Sequence, residues 1–304
     1  MRRLPLLALV LATALPAAAV SASAGSSEPP TVKVVDAGAE PREALRFALT
    51  PGVAQNSSLT FTTTVKQSGA VNQTVGPLRI RFGVAITVGD KDADGNVRLA
   101  ISYPSFELLK GSDVGSASQR DDVQRKLESF NGTTGELMMT PTGAVVSSAF
   151  ELPETADPSA NDLIDQLSEQ ANQLAIPLPD EPIGIGARWQ ATTQLELNGI
   201  RLEQTYTYTL RKRDGDRLDV DVRYVQRAPR QEADLPNVPA GTTVRVTLFK
   251  IAGKGTQTFF LSQPLPAEGR IKASGSQKLE FDRGGNTEKL SQDLSVALSV
   301  KAAT

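Results

Sequence analysis

The sequence predicts a mainly β protein of two tandem antiparallel β modules, each a curved sheet or half-barrel, with one or two amphipathic helices. Three observations support this fold class. Apolar and polar residues alternate through most of the 304-residue chain, which is typical of strands with one buried face. Turn signals such as Asn198-Gly199 and Asp214-Gly215 separate the alternating runs. Only two segments show the period of a helix instead.

The first 24 residues are predicted to be a signal peptide. Arg2 and Arg3 precede a short apolar run, and Ala22-Ser23-Ala24 matches a small-residue cleavage site. Because the run is too short to span a bilayer, we expect cleavage near Ala24 and no transmembrane segment afterwards. The mature protein is therefore expected to be extracytoplasmic, either periplasmic or secreted. The small, polar residues 25–41 are predicted to form a flexible leader.

The first β module is predicted over residues 42–176 and contains both helices. In the first helix, Val123, Leu127 and Phe130 share one face between residues 116 and 131. The second helix, over residues 159–174, has a clearer apolar stripe. The strands are predicted at Leu45 to Leu49, Leu59 to Val65, Leu78 to Val88, Val97 to Tyr103, Glu136 to Met139 and Ala144 to Phe150.

A proline- and glycine-rich joint over residues 177–188 is predicted to stop the second helix and lead into Trp189, a core anchor of the second module. That module covers residues 189–304. Its strands are predicted at Trp189 to Leu197, Ile200 to Leu210, Leu218 to Tyr224, Val244 to Ile251, Thr256 to Leu261, Arg270 to Phe281 and Leu290 to Val300.

The two modules resemble each other in order and spacing. The strand Val97 to Tyr103 follows Asp94-Gly95, and about 121 positions later Leu218 to Tyr224 follows Asp214-Gly215. Glycine pairs then recur at a similar offset, at Gly132 and Gly135 and at Gly253 and Gly255. These matches favour duplication of a β module over chance likeness of hairpins. Whether the modules share one continuous sheet or form two domains stays open.

Composition limits the chemistry that the chain can perform. Histidine and cysteine are both absent, which excludes Ser-His-Asp and thiol nucleophiles and makes a zinc site improbable. We therefore predict no catalytic, cofactor-binding or metal-ligating residues and no cofactor. The nearly balanced charge, with 32 basic and 34 acidic residues, gives no electrostatic reason to bind nucleic acid.

One loop resembles the first half of a calcium-binding loop. Asp90, Asp92 and Asp94 alternate before Gly95, a spacing that can bring carboxylate oxygens together around a cation. The closing bidentate acid is absent, because Ile101 occupies its position. The alternative is a polar hairpin turn without metal.

The segment from Leu178 to Trp189 contains the pattern P-x-G-x-G-x-x-W, beginning at Pro182. With the strand meander that follows it, this segment resembles a bacterial family of exported β-rich proteins of unknown function. That resemblance implies no catalytic or binding residues. The layout of a curved sheet with a helix across it is also similar to the half-barrel lipid and lipoprotein carriers of the bacterial envelope.

These features predict an exported, non-enzymatic envelope protein that binds an apolar ligand between sheet and helix. Tyr206, Tyr208 and Tyr224 share a strand phase and either line such a ligand or pack in the core. The alternative is a structural or protein-interaction module of the envelope, with another envelope protein as partner. A carboxylate-dependent hydrolase is a third hypothesis, although no spacing of Asp and Glu singles out a pair.

Overall fold

One antiparallel sheet of fourteen strands organises the part of the protein that the structure describes. The computed structural model describes residues 29–69, 72–154, 156, 175–197, 199–235, 238–239 and 241–303. The strands are β1 (Thr31–Asp36), β2 (Ala54–Gly69), β3 (Gln73–Lys91), β4 (Val97–Tyr103), β5 (Phe106–Leu108), β6 (Thr133–Met139), β7 (Val145–Glu151), β8 (Arg188–Leu197), β9 (Ile200–Asp214), β10 (Arg217–Ala228), β11 (Gln231–Ala233), β12 (Thr242–Phe260), β13 (Glu268–Arg283) and β14 (Asn286–Ala302). The mainly β fold class is confirmed.

The strands of the second module lie together in the sheet, followed by those of the first. Their order is β1-β8-β9-β10-β12-β13-β14-β2-β3-β4-β6-β7, with β11 beside β12 and β5 beside β3. The modules meet where β14 pairs with β2, from Leu290 opposite Gly69 to Ala302 opposite Ser57. The sheet is therefore continuous across the two modules, which answers the question that the sequence leaves open.

The start of the chain corrects two predictions. Residues 31–36, within the predicted flexible leader, form β1 and pair with β8. Conversely, Leu45 to Leu49 is not a strand, although Leu45, Phe47 and Leu49 are buried as their alternation predicts. Instead, the Phe47 N–H donates to the Pro141 carbonyl, at 2.8 Å. Alternation predicts which side chains face the core. An extended segment can bury alternate side chains without pairing with a neighbouring strand, and residues 45–49 do so.

A third correction concerns β12, which the sequence divides into two strands near Gly253 and Gly255. These glycines lie inside one uninterrupted strand. A Cβ atom on Gly255 would lie 1.9 Å from the Arg270 carbonyl oxygen, and one on Gly275 of β13 would lie 2.0 Å from the Lys250 oxygen. Glycine is required here because the backbones of neighbouring strands approach too closely for a side chain. The glycines therefore reflect close strand pairing and not the break between two strands that the sequence predicts.

The first predicted helix is present as α1 (Ala117–Glu128). Ser116 caps it, because its hydroxyl accepts the Gln119 N–H while the Gln119 side chain accepts the Ser116 N–H. No residue of α1 is buried, and its apolar residues Val123 and Leu127 are half-buried. The second predicted helix, over residues 159–174, lies outside the described residues.

Trp189 anchors the core, as predicted. It is fully buried, its indole N–H donates to the Pro177 carbonyl at 2.8 Å, and its ring stacks on Tyr208 with centroids 5.3 Å apart. The joint is packed as well, since a Cβ on Gly184 would lie 1.8 Å from the Ala39 oxygen. One cluster of buried apolar side chains extends over strands of both modules. We call the sheet face that this cluster covers the inner face, and the opposite face the outer face.

The two modules also share a detail of strand pairing. Ile101 of β4 lies opposite Gly135 of β6, and Val222 of β10 lies opposite Gly255 of β12. Each apolar residue comes from one of the two strands matched in the sequence, and each glycine comes from one of the matched pairs. This pairing is what a duplicated module would produce, and the duplication stays a prediction.

Candidate functional site

Five buried glutamines lie on the inner face of the sheet, in strands that otherwise place apolar residues there. We call them the glutamine band; its members are Gln67, Gln204, Gln226, Gln277 and Gln292. Adjacent strands bring them together in register. Gln204 of β9 lies opposite Gln226 of β10, Gln277 of β13 lies opposite Gln292 of β14, and Gln292 lies opposite Gln67 of β2.

Strand phase explains why these polar side chains are buried. Residues two apart in a strand share a face, so Gln226 takes the same face as the fully buried Tyr224. The same holds for Gln277 with Leu279 of β13. The glutamines are therefore forced toward the core by their apolar neighbours in the strand, and each amide must find hydrogen-bond partners there.

Two members of the band have defined partners. The Tyr224 hydroxyl donates to the Oε1 atom of Gln204, at 3.2 Å. The Gln73 amide donates to the Oε1 atom of Gln67, at 2.6 Å.

Gln226 and Gln277 differ from the rest of the band. Both side chains are 0% exposed, and neither the amide nitrogen nor the amide oxygen of either has a hydrogen-bond partner among the described residues. Leaving a buried polar group without a partner costs about 1–3 kcal/mol. Such groups in a folded protein call for a partner that the described residues do not supply, and a ligand or ordered water can be that partner.

Gln55, near the other end of the inner face, shows what a purely structural buried glutamine looks like. Its amide nitrogen donates to the Leu265 carbonyl and its amide oxygen accepts the Leu265 N–H, both at 3.0 Å. Gln55 therefore holds a loop against the sheet. The contrast indicates that Gln226 and Gln277 serve another purpose.

The two unpartnered amides lie on either side of β12. Gln226 is opposite Ile251, and Gln277 is opposite Phe249, two residues earlier in the same strand. Ile251 and Phe249 are both buried. Each amide offers two donor hydrogens and one acceptor oxygen. Each amide can therefore bond a polar group that has donor and acceptor atoms, beside an apolar surface.

The tyrosines on the inner face belong to the core. The rings of Tyr206 and Tyr208 stack at 6.0 Å, and those of Tyr206 and Tyr224 lie 5.0 Å apart. Burial raises the pKa of all three phenols, so they are neutral at physiological pH. Of the two readings that the sequence allows, core packing is the one observed, and Tyr224 additionally positions Gln204.

The loop with the calcium-like spacing is a hairpin turn between β3 and β4. The Asp92 carboxylate accepts the Asp94 and Asn96 N–H groups, at 2.9 and 2.8 Å. A hydrogen bond from the Asn96 side chain is the main cause of the lowered pKa of Asp92. Asp90, Asp92 and Asp94 do not form a group that could hold a metal ion, and no such group occurs among the described residues.

Two other carboxylates with lowered pKa values lie on the outer face and stabilise the sheet. A hydrogen bond from Arg227 lowers the pKa of Glu203, and one from Thr258 lowers that of Asp219. Both are thereby held in the ionised form. These contacts suit cross-strand structural pairs, and they do not bring two acids together in a cleft.

The glutamine band is the feature that sequence reasoning missed. Its signal is present in the chain, because each glutamine takes the inward phase of a strand whose neighbouring inward positions are largely apolar. Gln204, for example, falls between the inward-facing Leu202 and Tyr206.

No protein-family model matches the chain, and no curated protein is significantly similar to it. Within the described ranges, no helix has the length and apolar character that crossing a bilayer requires.

Proposed function

We propose that the protein is an extracytoplasmic, non-enzymatic binding protein whose ligand lies against the inner face of the sheet. The observation that carries this proposal is the pair of fully buried amides, Gln226 and Gln277, which lack partners among the described residues. An amphiphile fits this surface best. Its apolar part would contact Ile251, Phe249 and the surrounding core, and polar groups such as amides, which both donate and accept, would bond the two glutamines.

The sequence supports the remaining parts of the proposal. The predicted signal peptide supports a location of the mature chain outside the cytoplasm, in the periplasm or the medium. The absence of histidine and cysteine removes the commonest nucleophile and base systems, which favours binding over catalysis.

Native mass spectrometry of protein purified from its source organism tests the proposal. We expect a population heavier than the bare chain by the mass of a small molecule, released when the protein is denatured. Protein of the bare chain mass alone, in preparations that keep non-covalent complexes intact, would contradict it.

A second candidate function, an interaction module of the envelope, is favoured by one edge of the sheet. Among the described residues β7 pairs only with β6, and Val146 of β7 is 52% exposed. An open strand edge with an exposed apolar residue can pair with another chain. A photo-crosslinking residue at Val146 should then capture a protein partner in cells, while one at the exposed Val225 in the middle of the sheet should not. Equal capture at both positions would count against this function.

A further inference from the structure

The outer face of the sheet is charged, and six of its cations are matched by carboxylates on the neighbouring strand. Arginines and one lysine face carboxylates on the neighbouring strand, at distances of 2.5 to 3.6 Å. The pairs are Arg81 with Glu107, Arg98 with Glu136, Arg211 with Asp221, Arg227 with Glu203, Arg245 with Glu232 and Lys289 with Glu280. Opposite charges on adjacent strands stabilise a sheet.

One row of the outer face places three cations side by side on adjacent strands without such partners. Arg223 of β10 lies directly opposite Lys254 of β12, which lies directly opposite Lys272 of β13. None of the three forms an ion pair with a described residue. Asp221, two residues from Arg223 on the same face, is engaged by Arg211 at 3.3 Å. Like charges directly opposite each other destabilise a sheet, so this row works against folding unless an anion joins it.

The three cations line an open groove of about 720 Å³. Its floor is made of small residues, because Ala252, Ser274 and Ser295 lie opposite one another on β12, β13 and β14. Thr64 of β2 continues this row opposite Ser295. The groove therefore runs across the strands, at right angles to their direction.

Cations and hydroxyls form two parallel rows in this groove. The first consists of Arg223, Lys254 and Lys272 and ends at Thr62, and the second contains Ser274, Ser295 and Thr64. Strands are spaced about 4.8 Å apart, so the five strands present these groups over about 19 Å. Repeating cations suit repeating anionic groups, and the neighbouring hydroxyls can bond the hydroxyls of a sugar.

We propose that this groove binds an acidic polysaccharide, with the anionic groups of successive sugar units against Arg223, Lys254 and Lys272. The groove crosses the strands, which suits an extended chain that lies along it. The net charge of the whole protein is only −2, so the attraction is local to this row and depends on its register. The site is separate from the inner face, and its test does not depend on the ligand proposed there.

Isothermal titration calorimetry with polygalacturonate tests this inference. The groove variant carries Arg223→Gln, Lys254→Gln and Lys272→Gln. The control carries Lys33→Gln, Lys110→Gln and Lys126→Gln, which removes the same charge from exposed positions elsewhere. Circular dichroism establishes that each variant is folded, and Lys254→Gln alone replaces the groove variant if the triple change prevents folding.

We expect salt-sensitive binding of polygalacturonate by the wild type and the control, and an affinity lower by about tenfold or more in the groove variant. Neutral dextran should not bind. Equal affinities of groove and control variants, equal binding of dextran, or no binding by the wild type would each overturn the proposal. Groove-dependent binding of phosphatidylglycerol vesicles without binding of polygalacturonate would overturn it as well, by identifying an anionic lipid surface as the partner.

Discussion

Replacing Gln226 or Gln277 by methionine should stabilise the ligand-free protein, whereas the same replacement at Gln55 should destabilise it. Methionine is unbranched and flexible, so it can follow the path of the glutamine side chain. At Gln226 and Gln277 it removes a buried amide that has no partner among the described residues. At Gln55 it removes the partner of both the Leu265 N–H and the Leu265 carbonyl.

The magnitudes follow from the hydrogen bonds. Removing an unpartnered buried amide relieves about 1–3 kcal/mol, so each variant of the band should gain free energy of unfolding of that order. Gln55→Met leaves two buried backbone groups unpaired and should lose about 2 kcal/mol or more. The expected effects thus have opposite signs for the same chemical change.

Urea denaturation of protein that was unfolded, freed of small molecules and refolded measures these differences. The slope of the free energy against urea should stay the same among variants, so that a shifted midpoint reports stability. If Gln226→Met and Gln277→Met lose as much stability as Gln55→Met, their amides have partners within the folded chain. Neither amide would then need a ligand on the inner face as its partner.

Three further predictions concern the sheet itself. Gly255→Ala should cost about 3 kcal/mol or more in the free energy of unfolding, because the new Cβ would lie 1.9 Å from the Arg270 oxygen. The control Gly215→Asn, at a turn with open space around it, should be nearly neutral. Equal losses of unfolding free energy for the two variants in urea denaturation would contradict the close approach of β12 and β13. Lys254→Gln should raise the thermal midpoint by about 1–3 °C at low salt by relieving repulsion, and the gain should vanish at high salt; a lower midpoint would contradict it. Burial raises the pKa of all four tyrosines above the ordinary value of 10.0, so absorbance at alkaline pH should show no tyrosinate in the folded protein near that value. The stabilisation from burying neutral tyrosine is fully present below the ordinary pKa and is lost as the pH rises toward the raised pKa values of the folded protein. Tyrosinate formation near pH 10 without unfolding would refute the burial of the four phenols.

Local pattern was sufficient to predict most strands, because burial on one face imposes a period of two that the sequence displays directly. The pattern predicted the wrong element where a segment is buried without pairing in the sheet, or pairs in the sheet without being buried. Leu45, Phe47 and Leu49 are buried without a ladder, while β1 pairs with β8 although its side chains are half-buried or exposed. The pairing of β14 with β2 joins segments far apart in the chain, and no local signal reports it.

The candidate sites were harder to predict than the fold because both depend on register. A bulge between Val246 and Leu248 shifts the pairing of β12, so the face occupied by Lys254 cannot be counted forward from Val244. That Arg223, Lys254 and Lys272 lie side by side follows only from the register of β10, β12 and β13. For the glutamine band, strand phase predicts that the side chains point inward but does not reveal which of them find partners.

The most direct test of a ligand on the inner face is the amount of small molecule extracted per mole of protein purified from the source organism. We predict a substantial, defined amount from the wild type and about tenfold less from the Gln226→Met, Gln277→Met double variant, because each amide bonds the polar group of the ligand. Equal amounts from the two proteins, or none from either, would contradict the account.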